Sequence, residues 1–96
     1  MTYEIYTSEN ETILEIEGNI FAEHLQDFRE ALTHVAKSPS SSVILDFSDV
    51  GAITSYGLRE LIMFENQMSK MGKSVDIINA SQIVSELISI AKKVFV

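Results

Sequence analysis

The residues with the most chemistry to offer lie in one stretch, Asp46-Phe47-Ser48-Asp49-Val50-Gly51-Ala52-Ile53-Thr54-Ser55-Tyr56-Gly57-Leu58. It reads as a strand end, a short loop, and a helix that opens at a Ser-x-Gly. The first N–H groups of a helix lack intrahelical partners, and the positive end of the helix dipole lies there. A hydroxyl at that point, Thr54 or Ser55, can cap the helix. If phosphorylated, it places about −1.5 to −2 charges where they are best tolerated. Such a modification changes a surface while barely disturbing the fold. Local physics leaves both roles, capping and modification, open to these two residues.

Other reactive groups are sparse. His24 and His34 are ten apart and form no i, i+4 metal pair, so they read as solvated helix histidines. Asp46 and Asp49 flank a strand end, where aspartates more often bond nearby backbone N–H groups than hold a metal. There is no Gly-x-Ser-x-Gly elbow and no Gly-rich phosphate loop. The absence of cysteine excludes disulfides, thiol catalysis and cysteine-based zinc sites. The expectation is no catalytic residue, no metal and no cofactor, hence no enzyme.

Several elements must position the central stretch. Residues 3–7 and 12–17 are short and rich in β-branched and aromatic residues, with a polar connection from Ser8 to Glu11, and predict a β-hairpin. After Gly18-Asn19, apolar residues recur at Phe21, Leu25, Phe28, Leu32 and Val35, the stripe of an amphipathic helix, with Asn19 as its cap. The loop Ser38-Pro39-Ser40-Ser41-Ser42 ends it. The compact run Val43-Ile44-Leu45, with Phe47, suits a strand buried on both faces. Residues 57–71 predict a helix with Leu58, Leu61, Ile62, Phe64, Met68 and Met71 inward, closed by Gly72. Residues 75–78 predict a second short buried strand. Asn79-Ala80-Ser81 offers caps to a last helix, whose stripe is read as Ile83, Leu87, Ile90 and Val94, with Val84, Ile88 and Ala91 beside it.

The order is β-β-α-β-α-β-α. It predicts an α/β fold, with a small, mixed, largely parallel sheet of about four strands and helices packed mainly on one face. Ninety-six residues suit one domain, 1–96. The net charge of −7 repels phosphate backbones and anionic lipid heads, so nucleic-acid or membrane-surface binding through bulk charge is not expected. No run of about 18 apolar residues suggests a membrane span, and Met1 to Ile5 lacks a signal-peptide start. A cytoplasmic location is expected.

The central stretch resembles the signature of the STAS domain, the fold of bacterial anti-sigma-factor antagonists, whose pattern is close to Asp-Leu-Ser-x-Val-x-x-Ile-Asp-Ser-Ser-Gly-Leu. Asp46, Ser48, Val50, Ile53, Ser55, Gly57 and Leu58 match, and Phe47 is a like-for-like apolar change. The order of the other elements follows the family over nearly the whole chain. The resemblance implies docking on a serine kinase or anti-sigma-type partner through this loop and helix. Phosphorylation of one serine would release the partner, and a phosphatase would restore binding. Ser55 holds the acceptor position. Thr54 stands where the family has aspartate, Tyr56 where it has a small hydroxyl residue, and Phe21 where it often has aspartate.

An aromatic at a helix start can anchor an interface. The expected partner-binding set is Thr54, Ser55, Tyr56, Gly57, Arg59, Glu60 and Met63, with Gln67 continuing the stripe. The alternative implied by the family is a STAS binding or scaffold subunit without phosphate control, for example in a membrane-transport assembly. Many family members continue past the segment that matches residues 91–96; if that extra piece is absent, Val94, Phe95 and Val96 either leave an apolar patch or fold back on the core. A homodimer is one use for such a patch.

Overall fold

The computed structural model describes residues 1–94; Phe95 and Val96, part of the expected terminal patch, lie outside the described residues. Strands β1 (Thr2–Thr7) and β2 (Glu11–Glu17) form the expected antiparallel hairpin. A 3-10 turn, Ala22–His24, leads into α1 (Leu25–Ala36). Then follow β3 (Ser42–Asp49), α2 (Ser55–Lys70), β4 (Ser74–Ile78) and α3 (Gln82–Val94). The sheet order is β1-β2-β3-β4, with β2, β3 and β4 mutually parallel. The fold class and the order of elements are those predicted. Among the described residues no helix is long and apolar enough to cross a membrane.

Consecutive parallel strands that are also neighbours force right-handed crossovers onto the same side. The helices therefore cover one face, and only that face of the sheet is buried. Leu14, Ile16, Val43, Leu45 and Phe47 point into the core, where they meet Phe28, Leu32 and Val35 of α1 and Leu61, Ile62 and Met68 of α2. This corrects the reading of 43–47 as a strand buried on both faces. Burial alternates along β3, and Ile44 and Asp46 lie on the open face, half-buried. β4 is likewise an edge strand with no fully buried residue, because only β3 pairs with it.

On the open face the register sets Glu4 beside Glu15, and Glu15 beside Asp46. Tyr6 donates its hydroxyl to Glu4. That bond, with the nearby charge of Glu4, pushes the Tyr6 phenol up to about 12.

Three helix readings are corrected. Phe21 precedes the first turn, is 39% exposed, and stacks on the His24 ring. Its N–H donates to His24 Nδ1 at 3.3 Å, and Asn19 caps neither helical start, its Oδ1 accepting instead from the Gly51 N–H. α2 starts at Ser55 and ends at Lys70, which leaves Met71 exposed beyond it. Gly72, at φ +75°, closes α2 as expected. Its N–H reaches Ser69 O, and that of Lys73 reaches Met68 O, as in a Schellman ending.

On α3 the inward stripe is Val84, Ile88 and Ala91, while Ile83, Ile90 and Val94 face outward. The small Ala91 lets the helix approach closely, and Ser81 Oγ caps it by accepting from the Val84 N–H.

The serine loop is tied to the sheet by Thr12, whose hydroxyl lies 2.9 Å from those of Ser38 and Ser40. Lys73 Nζ donates to Ser38 O at 2.6 Å and binds the end of α1 to the start of β4.

Phe47 is fully buried toward the end of β3, on the face that the helices cover. Phe47→Ala is expected to lower unfolding free energy by about 3–5 kcal/mol, read as a lower urea midpoint.

Candidate functional site

The loop that leads to Thr54 and Ser55 is not free. Four hydrogen bonds tie it to the segment after β2. Gly18 N–H donates to Asp49 O, Ile20 N–H to Ala52 O, and Thr54 N–H to Ile20 O, at 3.0–3.2 Å. Gly51 N–H donates to Asn19 Oδ1 at 2.9 Å. The pairing of β2 and β3 thus continues past the strand ends, with a parallel bridge between Ile20 and Ile53. Asn19 cross-links two loops, where the sequence suggested a helix cap.

The start of the loop is set by Asp46. Its Oδ1 accepts from the backbone N–H of Ser48 at 3.0 Å and from Asn79 Nδ2 at 3.3 Å. The Ser48 N–H is the main reason its carboxyl is held below the usual aspartate value. Among the described residues no group of three His, Cys, Asp or Glu comes together that could hold a metal ion.

Thr54 is the N-cap of α2. Its backbone is extended, and its Oγ1 accepts from the Gly57 N–H at 3.2 Å. Ser55 is the first helical residue and is exposed. Among the described residues its hydroxyl makes no hydrogen bond, and no acidic residue stands in the first turn of α2.

Gly57 is buried. A Cβ there would lie 2.9 Å from Ile53 Cγ1 and 3.0 Å from Ile20 Cγ2. Its place is in the seat of the helix on the two loops, beneath the surface formed by its neighbours.

Tyr56 is 63% exposed and Met63 54%. With exposed Arg59 and Gln67 they follow one side of α2. Glu60 turns away from them. Its Oε1 accepts from Arg29 Nε at 2.8 Å and Nη2 at 2.7 Å, which joins α1 to α2. Below this ion pair runs an open groove of about 760 Å³ between α1 and α2, with Leu32, Phe64, Met63 and Met71 along it and Lys37 and Lys70 at its rim. The Arg29–Glu60 link and the Asn19–Gly51 link were not read from the sequence. Both join residues about thirty apart, which no local pattern encodes.

The family model described as "Mlab, STAS domain" matches residues 4–92. The chain belongs to the STAS domain family. No curated protein matches it. Among solved structures, an anti-sigma factor antagonist from Mycobacterium paratuberculosis is similar at TM-score 0.78 and 17% identity, over 96% of this chain and 80% of that one. The anti-sigma factor antagonist SpoIIAA in its unphosphorylated form is similar at TM-score 0.74 and 9% identity, over 92% and 82%. The Bacillus cell fate determinant SpoIIAA in its phosphorylated form gives TM-score 0.74 at 9% identity, over 94% and 83%. At these identities the likeness is one of fold.

Two outcomes follow from the geometry of this STAS loop. Gly57→Ala is expected to destabilise the chain by roughly 1–3 kcal/mol in urea denaturation, although alanine favours a helix by about 1 kcal/mol. Asp46 is more acidic folded than unfolded, so its stabilisation is complete above the ordinary value of 3.8 and is lost as pH falls below it. In Asp46→Asn the loss of stability on acidification below that value should be shallower, as followed by circular dichroism.

Proposed function

We propose that this STAS domain is a cytoplasmic regulatory module that docks on a serine kinase or anti-sigma-type partner and is switched by phosphorylation of Ser55. The observation that carries the reading is the setting of Ser55. It is an exposed hydroxyl at the first position of α2, on a loop fixed by four hydrogen bonds, with no carboxylate in that helical turn.

A phosphate there adds about −1.5 to −2 charges beside the unpaired N–H groups and the positive end of the dipole. Thr54 already caps the Gly57 N–H, so the fold does not depend on the modification. The cost falls on the partner. A charge brought into a packed interface without a counter-ion costs several kcal/mol, as an order of magnitude. A phosphatase reverses the change by removing the charge. The shared fold supports the reading, since SpoIIAA occurs in unphosphorylated and phosphorylated forms.

The docking face in this proposal is Thr54, Ser55, Tyr56, Arg59 and Met63 on the surface. Gly57 shapes it from below, and Glu60 orders it through Arg29. Tyr56 supplies the anchor, a large exposed ring with a hydroxyl that can stay wet.

A second reading draws on that same ring. Tyr56 and Thr54 replace the small hydroxyl residue and the aspartate expected around a family acceptor. A STAS subunit that binds constitutively, as in a membrane-transport assembly, needs the anchor and not the switch.

Phosphopeptide mapping of the protein from its own host separates the two. Trypsin releases Ser38–Arg59, and fragmentation locates any phosphate among its hydroxyls. Phosphate on Ser55, absent in Ser55→Ala, is the expected result, and Ser55→Asp should weaken partner binding by roughly a hundredfold. An unmodified peptide while the host kinase is active would leave the constitutive binder.

A further inference from the structure

We infer that the outer face of α3 is the seam of a homodimer in which two copies of this chain pair their α3 helices antiparallel. Val84, Ile88 and Ala91 satisfy the core, yet Ile83, Ile90 and Val94 stand 68%, 57% and 67% exposed on the other flank. Half-buried Leu87 completes the row. The steps from 83 to 87, 90 and 94 are four, three and four, the spacing of a coiled-coil seam. The outward faces of α1 and α2 carry mostly polar and charged side chains.

The occupant follows from the symmetry of this row. About a two-fold axis between Ile88 and Ser89, Ile83 meets Val94 of the second copy and Leu87 meets its Ile90, and the reverse holds as well. A surface that is its own complement is what an isologous dimer needs.

The charges beside the row agree. Glu86 and Lys93 are seven apart and so lie on the same edge of the seam. Antiparallel pairing brings Glu86 of one copy to Lys93 of the other, offset by about 3 Å along the axis at 1.5 Å per residue. Side chains lean toward their own N-terminus, which closes that offset. A parallel pair gives neither charge an opposite partner, since the facing positions are Val84 and Ala91, already spent on the core.

Within one copy Glu86 accepts only an exposed bond from Gln82 Nε2 at 3.2 Å, and among the described residues Lys93 has no ion pair. Lys92, by contrast, is held on the inner side by Glu65 at 3.3 Å.

Four residues per copy bury less than a standard interface, so the dimer is of the weak class and its population depends on concentration. Sedimentation equilibrium of the 96-residue chain, from about 10 µM to about 1 mM in low salt, should show reversible dimerisation. E86K and K93E should each weaken it roughly tenfold, since each turns two symmetric attractions into repulsions. The double variant E86K/K93E should recover the dimer. An equimolar mixture of the E86K and K93E chains should form the heterodimer in preference to either homodimer. Ile90→Glu should abolish association while the circular dichroism spectrum stays unchanged. A chain that stays monomeric up to the highest concentration overturns the inference. So does a dimer that ignores both charge reversals.

Discussion

The structure depends on the lateral clamp between two loops. β2 and β3 are parallel neighbours, and each is followed by a loop and a helix. Parallel strands ordinarily part where their chains turn into helices. Here pairing persists for several residues, through Ile20, Ile53 and the Asn19–Gly51 bond. The clamp fixes the point at which α2 leaves the sheet, and with it the places of Thr54 and Ser55. Gly57 belongs to the same device, because α2 can sit on Ile20 and Ile53 only where no side chain intervenes. A cluster of apolar contacts under the loop and a row of hydrogen bonds within it therefore hold one short, exposed segment.

The other organising constraint is the sequential strand order. It places the helices on one face and leaves the opposite face of the sheet in water. That face has a mixed character, with Ile13 and Ile44 in one row and Glu4, Glu15 and Asp46 in the next. Carboxylates side by side on a sheet repel one another. The repulsion is tolerable because the face is open to solvent, and Asp46 and Glu4 each have hydrogen-bond donors.

Much of this was legible in the residues. The β-branched and aromatic content of β1 and β2, the 3.6-residue period in α1 and α2, and Gly72 each announce their element. The Ser-x-Gly after a strand end announces the start of α2. Legibility fails where two local signals compete or where the deciding partner is distant. α3 carries apolar residues over a wide arc, so periodicity offers two stripes, and only packing against α2 and the sheet selects Val84, Ile88 and Ala91. Asn19 after Gly18 has the form of a cap, yet its acceptor oxygen is taken by Gly51, which only the fold brings near. The run Val43-Ile44-Leu45 looks wholly buried because Ile44 is apolar, whereas burial follows the placement of the helices.

The separation of charge between the two sides of the molecule has a consequence at long range. Arg29, Lys37 and Lys70 line the helical side, while Glu4, Glu15, Asp46 and Asp76 belong to the open sheet. With a net charge of −7, the chain carries both a monopole and a dipole. A charged body that approaches within a Debye length, about 8–10 Å in physiological salt, feels a torque as well as a force. An acidic surface would be turned toward the helices and a basic one toward the sheet before any atoms touch. The fold thus biases the orientation of an encounter through its field.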